Sequence, residues 1–275
     1  MTENPEIARK VTLDGITTNY HDEGTGFPVI LMHGSGAGVT AWANWRNTIP
    51  ILKETRRVIA PDLVGFGYTD APADIKYRFM DTWVEQIINL MEHLGIEQTD
   101  LVGNSFGGSL SLALAVKHPK RIRRMVLMGS GGQAFPVTPE LEALWGYTPS
   151  IENMKKIMDI MAFNRDLVTD ELAEMRYRAT IRPGFQERFA GVFPPPRQRW
   201  SDAQIVPDEK LKALTQEVLI IHGRDDRVVP LYVSLQLAQK IDRVQLHVFG
   251  RCGHWTQIEH SARFNQLVLN FLQEA

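Results

Sequence analysis

Apolar residues along the first half of the chain come in short β-branched runs, each closed by glycine or proline. Val11–Leu13 and Ile16–Tyr20 flank Asp14-Gly15, a pair that favours a tight hairpin because both residues tolerate positive φ. Val29–Met32 runs into His33-Gly34, Arg57–Ala60 into Pro61-Asp62, Thr99–Val102 into Gly103, and Met125–Met128 into Gly129. Later, Val218–Ile221 precedes His222-Gly223 and Val244–Phe249 precedes Gly250. Short apolar runs bounded by turn residues are the pattern of strands buried on both faces. Between them the period shifts to helical spacing over Phe79–Leu94, Gly108–His118, Leu231–Lys240 and Ser261–Gln273.

This alternation predicts an α/β fold: a mostly parallel eight-stranded sheet with helices on both faces, opened by an antiparallel hairpin. Such sheets bind ligands beyond the carboxyl ends of their strands. The loops starting at His33, Asp62, Asn104, Gly129, Gly223 and Gly250 are therefore expected on one rim. Residues 134–208 break the rhythm, with Pro136, Pro139, Pro149 and Pro194-Pro195-Pro196 but no strand-like run. A structureless stretch of that length is uncommon in a compact domain. It reads as a helical lid inserted between the sixth and seventh strands of a core formed by residues 1–133 and 209–275. Met154, Met158 and Met161 recur there at helical spacing, which suits either core packing or a pliable wall over an apolar ligand.

Composition narrows the class. The 275 residues, 44% hydrophobic and 23% charged, suit one large globular domain. A net charge of -2 gives no reason to expect binding to nucleic acid or to acidic membranes. The single cysteine, Cys252, excludes an intrachain disulfide and fits a reducing, cytoplasmic setting. The polar, acidic start Met1-Thr2-Glu3-Asn4-Pro5 does not read as a secretory signal, and no apolar run approaches the roughly 20 residues of a membrane span. No metal-ligand cluster or phosphate loop stands out, so no cofactor is expected.

Candidate chemistry centres on Gly103-Asn104-Ser105-Phe106-Gly107, which fits the G-x-S-x-G pattern of a strand turning sharply on a serine into a helix. A serine hydroxyl needs a base, and the base an orienting acid. Downstream, His118, His222, His247 and His260 fall at helix ends or within strands, whereas His254 lies in a loop directly beyond the last strand. Of the paired Asp225 and Asp226 after the seventh strand, the Gly-x-x-Asp spacing favours Asp226 as the residue aimed at the histidine. Asp225 is left to cap the turn or face solvent. An oxyanion also needs preset backbone donors. The Phe106 N–H is one, and the Ser35 N–H in His33-Gly34-Ser35-Gly36-Ala37-Gly38 is the choice for the second.

These residues together resemble the α/β-hydrolase family over the whole chain, and more narrowly its meta-cleavage product hydrolases. The carrying segments are His33–Gly38, Ala41–Arg46, Pro61–Gly67, Gly103–Gly108, Gly223–Arg227 and Arg251-Cys252-Gly253-His254-Trp255. Ser35 stands where some relatives have glycine. The resemblance implies hydrolysis of the C5–C6 bond of a 2-hydroxy-6-oxo-hexa-2,4-dienoate, a small anionic substrate, without a cofactor. It further implies that Arg182, in Thr180-Ile181-Arg182-Pro183, grips the carboxylate and 2-oxo end, that Asn44 and Asn104 line that end, and that Gly36 and Ser35 touch substrate. Trp255 would wall the site or simply pack beside it. Arg46 and Arg78 carry no distinguishing signal. Whether Ser105 acts as nucleophile or as general base toward water stays open, as does the sixth-carbon substituent. Relatives self-associate and the hairpin leaves an open edge, so a homo-oligomer is expected. A carboxylesterase of the same fold would need the triad but no anion-binding lid, and a receptor would show negligible turnover.

Overall fold

The computed structural model describes residues 4–70 and 76–274. Met1, Thr2 and Glu3 of the polar start lie outside the described residues. Eight strands form one sheet: β1 Arg9–Leu13, β2 Ile16–Glu23, β3 Pro28–Met32, β4 Arg57–Pro61, β5 Thr99–Asn104, β6 Ile122–Met128, β7 Glu217–Gly223 and β8 Val244–Phe249. Their order is β1-β2-β4-β3-β5-β6-β7-β8, with β1, β2 and β4 paired antiparallel and every other pair parallel. The mostly parallel eight-stranded sheet with an antiparallel hairpin, read from the alternation of strands and helices, is therefore the observed one.

The strand period of two sorts the core into two layers. Ile30, Met32, Ile59, Leu101, Met125 and Leu127 face one apolar cluster, while Val29, Leu31, Val58, Ala60, Val102, Val126 and Met128 face the other. Each fully buried aliphatic side chain of this kind contributes roughly 1.5–3 kcal/mol. The layers are capped by the helices Asp81–His93 and Phe106–Lys117 on one side and Ser261–Gln273 on the other. β5 is buried at every position, so the residue leaving its carboxyl end is held from all sides.

Between β6 and β7 the chain makes no strand among the described residues. It forms helices Pro139–Trp145, Ile151–Met161, Asp170–Thr180, Phe185–Val192, Gln198–Asp202 and Asp208–Lys212. Local chemistry sets three of their starts: the Thr138, Ser150 and Thr169 side chains accept the N–H groups of Leu141, Asn153 and Leu172. The helix Ile151–Met161 turns Met154, Ile157, Met158 and Met161 inward. Met154 and Met158 pack as core, whereas Met161 reaches the cavity described below. No helix among the described residues is long and apolar enough to cross a membrane.

Candidate active site

Ser105 sits at the break between β5 and the helix Phe106–Lys117 with φ 55° and ψ -114°, a conformation costly for a residue with a Cβ. Packing imposes it. A Cβ on Gly103 would fall 2.2 Å from the Gly107 carbonyl oxygen, and one on Gly107 2.3 Å from that of Met32. Only a turn without side chains at these two positions fits between β3 and the helix. The Ser105 N–H donates to the Met128 carbonyl at 2.7 Å, which pins the bend to β6.

The candidate acid and base come from two neighbouring loops. Asp226 lies in the turn after β7, where its Oδ1 accepts the N–H groups of Val228 at 2.8 Å and Val229 at 3.1 Å. Its Oδ2 is 2.7 Å from Nδ1 of His254. Burial alone would raise the Asp226 carboxyl, but His254 and His222 beside it outweigh that and hold it well below the ordinary carboxylate range. Nδ1 therefore carries the proton shared with Asp226, leaving Nε2 as the unprotonated nitrogen. Gly129, with φ 52°, lets this pair approach, because a Cβ there would lie 3.1 Å from the imidazole. His222 is fully buried, with Nδ1 2.7 Å from the Ser234 hydroxyl and Nε2 3.0 Å from the Val229 carbonyl. Asp225 instead binds the next loop, accepting the Cys252 N–H at 3.2 Å.

The glycine loop after β3 is shaped by His33. Its Nδ1 lies 2.7 Å from the Gly34 carbonyl, and its Nε2 accepts the Leu63 N–H at 2.9 Å. Full burial pushes this imidazole down to about 4, so it stays neutral and holds the loop in one shape. The Ser35 hydroxyl accepts the Trp145 indole N–H at 2.9 Å, joining the loop to the helical segment above. Neither the Ser35 nor the Phe106 N–H enters a hydrogen bond among the described residues, which leaves both as available donors. The Phe106 ring points into the core, 4.9 Å from Trp83.

Ser105 and His254 share the wall of one small cavity with Gly34, Ser35, Gly36, Asn44, Asn104 and Trp255. No hydrogen bond joins the Ser105 hydroxyl to the imidazole among the described residues, a looseness common in active sites without substrate. The apolar part of the wall is Val39, Leu141, Leu144, Met161 and Val228. At the polar part, the Asn44 amide nitrogen is buried without a partner, and Asn104 donates a long bond of 3.4 Å to the Met128 carbonyl.

The arginine in this wall is Arg176, not Arg182. Arg182 follows the C-terminus of the helix Asp170–Thr180 and turns away: it donates to the Gly67 carbonyl, pairs with Asp70 and lies over the Tyr68 ring at 4.2 Å. The expectation for Arg182 is corrected accordingly, because its fork is already engaged outside the cavity. Arg176 sits six residues earlier, within that helix, with Ala173, Ala179 and Thr180 on its buried face. It is 2% exposed, its Nη2 donates to the Ala37 carbonyl at 3.2 Å, and its Nε has no partner among the described residues. Burial, aided by Arg46, lowers it to about 10, which still leaves it charged at neutral pH. No cluster of three or more histidine, cysteine, aspartate or glutamate residues capable of holding a metal ion occurs among the described residues.

Comparison with known proteins places this geometry. Residues 28–261 match the family model described as alpha/beta hydrolase fold. The chain is 58% identical over 272 residues to a 2-hydroxymuconate semialdehyde hydrolase of Pseudomonas sp. (strain CF600), covering 99% of this chain and 96% of that one. It is 56% identical over 269 residues to a 2-hydroxy-6-oxo-2,4-heptadienoate hydrolase of Pseudomonas putida, covering 98% and 97%. Among solved structures, it resembles a meta-cleavage product hydrolase from Pseudomonas fluorescens IP01, a serine-to-alanine variant complexed with acetates. That match has TM-score 0.96 and 59% identity, and covers 98% of each chain.

Proposed function

The chain belongs to the α/β-hydrolase family and, within it, to the meta-cleavage product hydrolases, and from that premise we propose how its residues divide the work. It is a serine-dependent carbon–carbon bond hydrolase acting on a 2-hydroxy-6-oxo-hexa-2,4-dienoate, either 2-hydroxymuconate semialdehyde or a 6-alkyl analogue. The products are a 2-hydroxypenta-2,4-dienoate and a carboxylic acid.

The difficulty of the reaction is its leaving group. A localised carbanion at carbon five cannot depart, so the dienol must first become its keto tautomer. The electrons of the broken bond then delocalise toward the 2-oxo group. That requires one end of the substrate to be held as an anion while the sixth-carbon carbonyl lies beside Ser105. The observation carrying this reading is the buried Arg176 guanidinium in the same cavity wall as Ser105 and His254. Its planar fork matches adjacent carboxylate and oxo oxygens, and burial strengthens each bond. Asn44 and Asn104 add amide contacts at this end, and Trp255 backs the guanidinium.

In the proposed sequence, Nε2 of His254 moves the proton from the 2-hydroxyl toward carbon five, giving the keto form. Ser105, as nucleophile or as general base for water, then brings oxygen to carbon six. The oxyanion forms against the Ser35 and Phe106 N–H groups. Cleavage leaves the electron pair on the dienol fragment, which takes the proton that His254 received from Ser105 or from water. Where Ser105 is the nucleophile, a water deprotonated by His254 then hydrolyses the acyl-serine and releases the carboxylic acid. Asp226 holds the imidazole in the needed tautomer and stabilises its charged form throughout.

The cavity encloses about 20 Å³, far below the roughly 300 Å³ of an ordinary ligand site, so substrate enters by displacing part of the wall. The helices between β6 and β7 act as the lid that yields. Self-association along the open edge of β1 and a cytoplasmic setting belong to the same proposal, supported by the exposed β1 positions and by the lone, unpaired Cys252. The deciding experiment is absorbance decay of coloured dienoates bearing hydrogen, methyl, isopropyl or phenyl at carbon six. Fastest decay on the hydrogen or methyl compound is expected. Turnover of a nitrophenyl ester without turnover of any dienoate would overturn the reading.

A further inference from the structure

Glu259 ends the short helix Thr256–Glu259 that follows His254, and its carboxylate is shared by two distant parts of the chain. Oε1 accepts the Gly253 N–H at 2.7 Å, directly before His254. Oε2 accepts the N–H groups of Phe163 and Asn164, each at 2.8 Å, in the turn that leaves the helix Ile151–Met161. That helix carries Met161 into the cavity wall. Two further contacts tie the same segments. The His254 N–H donates to the Met161 carbonyl at 2.8 Å, and the Arg251 guanidinium lies 5.8 Å from the centre of the Phe163 ring. The approach is close enough that a Cβ on Gly253 would fall 2.6 Å from the Met161 carbonyl oxygen.

The donor set selects the residue type. Three N–H groups converge on one side chain, and an ionised carboxylate offers acceptors on both oxygens. An amide of the same size has one acceptor oxygen and an NH₂ that would meet an N–H head-on. It can satisfy the loop or the lid turn, but not both.

We propose that Glu259 is a positioning residue, a carboxylate clip that sets the His254 loop and the lid wall as one unit. The proposal rests on the reading of His254 as the proton carrier. Without the clip, the backbone of His254 is free to shift relative to Ser105, and a misplacement of about 1 Å costs on the order of 10²-fold in rate. Asn44 lies on the helix Ala41–Trp45, which the clip does not touch, so part of substrate binding is spared. The loss therefore falls on kcat more than on KM.

The test is Glu259→Gln, with amide hydrogen exchange followed at residues 163, 164 and 253 and steady-state kinetics on a dienoate and on a nitrophenyl ester. Protection is expected to fall in the lid turn and the catalytic loop together. The value of kcat is expected to fall at least about tenfold on both substrates, with the dienoate KM changed less than roughly threefold. Glu259→Asp, one methylene too short to span both sides, is the second variant and is expected to show the same joint loss. Unchanged kcat despite lost protection would reduce Glu259 to a structural staple, and unchanged protection would remove the clip altogether. If the wild type turns over ester but no dienoate, the substrate reading fails alone, and the ester rates with the exchange data still decide the clip.

Discussion

The Arg176 guanidinium carbon lies 5.2 Å from the centre of the Trp255 ring, joining the helix Asp170–Thr180 to the residue that follows His254. A cation this close to an indole ring is attracted to it without using its hydrogen-bond donors. Arg176 thereby presents charge to the cavity while making one hydrogen bond to protein, at the Ala37 carbonyl.

Replacing Arg176 with methionine should remove the grip on the anionic end and spare the ester reaction. A buried, charge-assisted contact is worth about 2–5 kcal/mol, so kcat/KM toward a dienoate should fall roughly 30- to 5,000-fold. Hydrolysis of nitrophenyl acetate should stay within several-fold of wild type. Arg182→Ala, which breaks contacts to Gly67 and Asp70, should leave dienoate kcat/KM within about threefold. Steady-state assays of both variants decide it: a large loss confined to Arg182→Ala would reverse the assignment.

The difference between the two arginines shows what a sequence can reveal. Strands, their order of use and the serine turn are written in local signals, because Asp14-Gly15, His33-Gly34 and Gly103–Gly107 act within a few residues of themselves. Those elements were legible nearly to their ends. Arg182 stands out locally, before Pro183 at a helix end, whereas Arg176 is conspicuous only once Ala173, Ala179 and Thr180 are known to face inward. Glu259 and Glu6 are harder still. Their partners lie 96 and 34 residues away, at Phe163 and Thr40, and no short-range pattern announces a carboxylate shared across the fold.

Asn44 has a buried amide nitrogen with no hydrogen-bond partner among the described residues, an arrangement that costs about 1–3 kcal/mol. Asn44→Ala should therefore separate stability from function. The melting temperature is expected to hold or rise, while dienoate kcat/KM falls roughly tenfold to a hundredfold. Thermal unfolding and steady-state kinetics on one preparation check this. A fall in both would mean that Asn44 supports the fold rather than the substrate.

His33 makes the glycine loop sensitive to acid. Its folded value of about 4 lies below the ordinary 6.5, so the unfolded chain binds the proton first as pH falls. The contribution is complete above about pH 6.5 and is lost progressively toward pH 4, amounting to about 3 kcal/mol. Glu6 and Asp62, whose carboxyls burial raises, act in the opposite sense, and their effects cancel when wild type is compared with a His33 variant. The stability difference between wild type and His33→Gln, from denaturant unfolding, should shrink as pH drops from 7 to 4. A difference independent of pH would show that this imidazole does not resist protonation.

Glu6 tempers the charge at Arg176. It is 3% exposed, with Oε1 accepting the Thr40 hydroxyl at 2.8 Å and Oε2 the Tyr68 hydroxyl at 3.3 Å. Arg176 and Arg182 are the cations acting on it, and Glu6 in turn opposes the burial that weakens Arg176. Glu6→Gln keeps the shape and an acceptor for Thr40 but deletes the negative charge. The field at Arg176 then becomes more positive by about 1 kcal/mol, and KM for a dienoate anion should fall roughly fivefold. Stability should hold or improve, since a carboxylate that burial disfavours is gone. Structural damage would push both quantities the other way, raising KM and lowering the melting temperature. The sign of the KM change, measured at low and moderate salt, thus separates electrostatic tempering from a packing role.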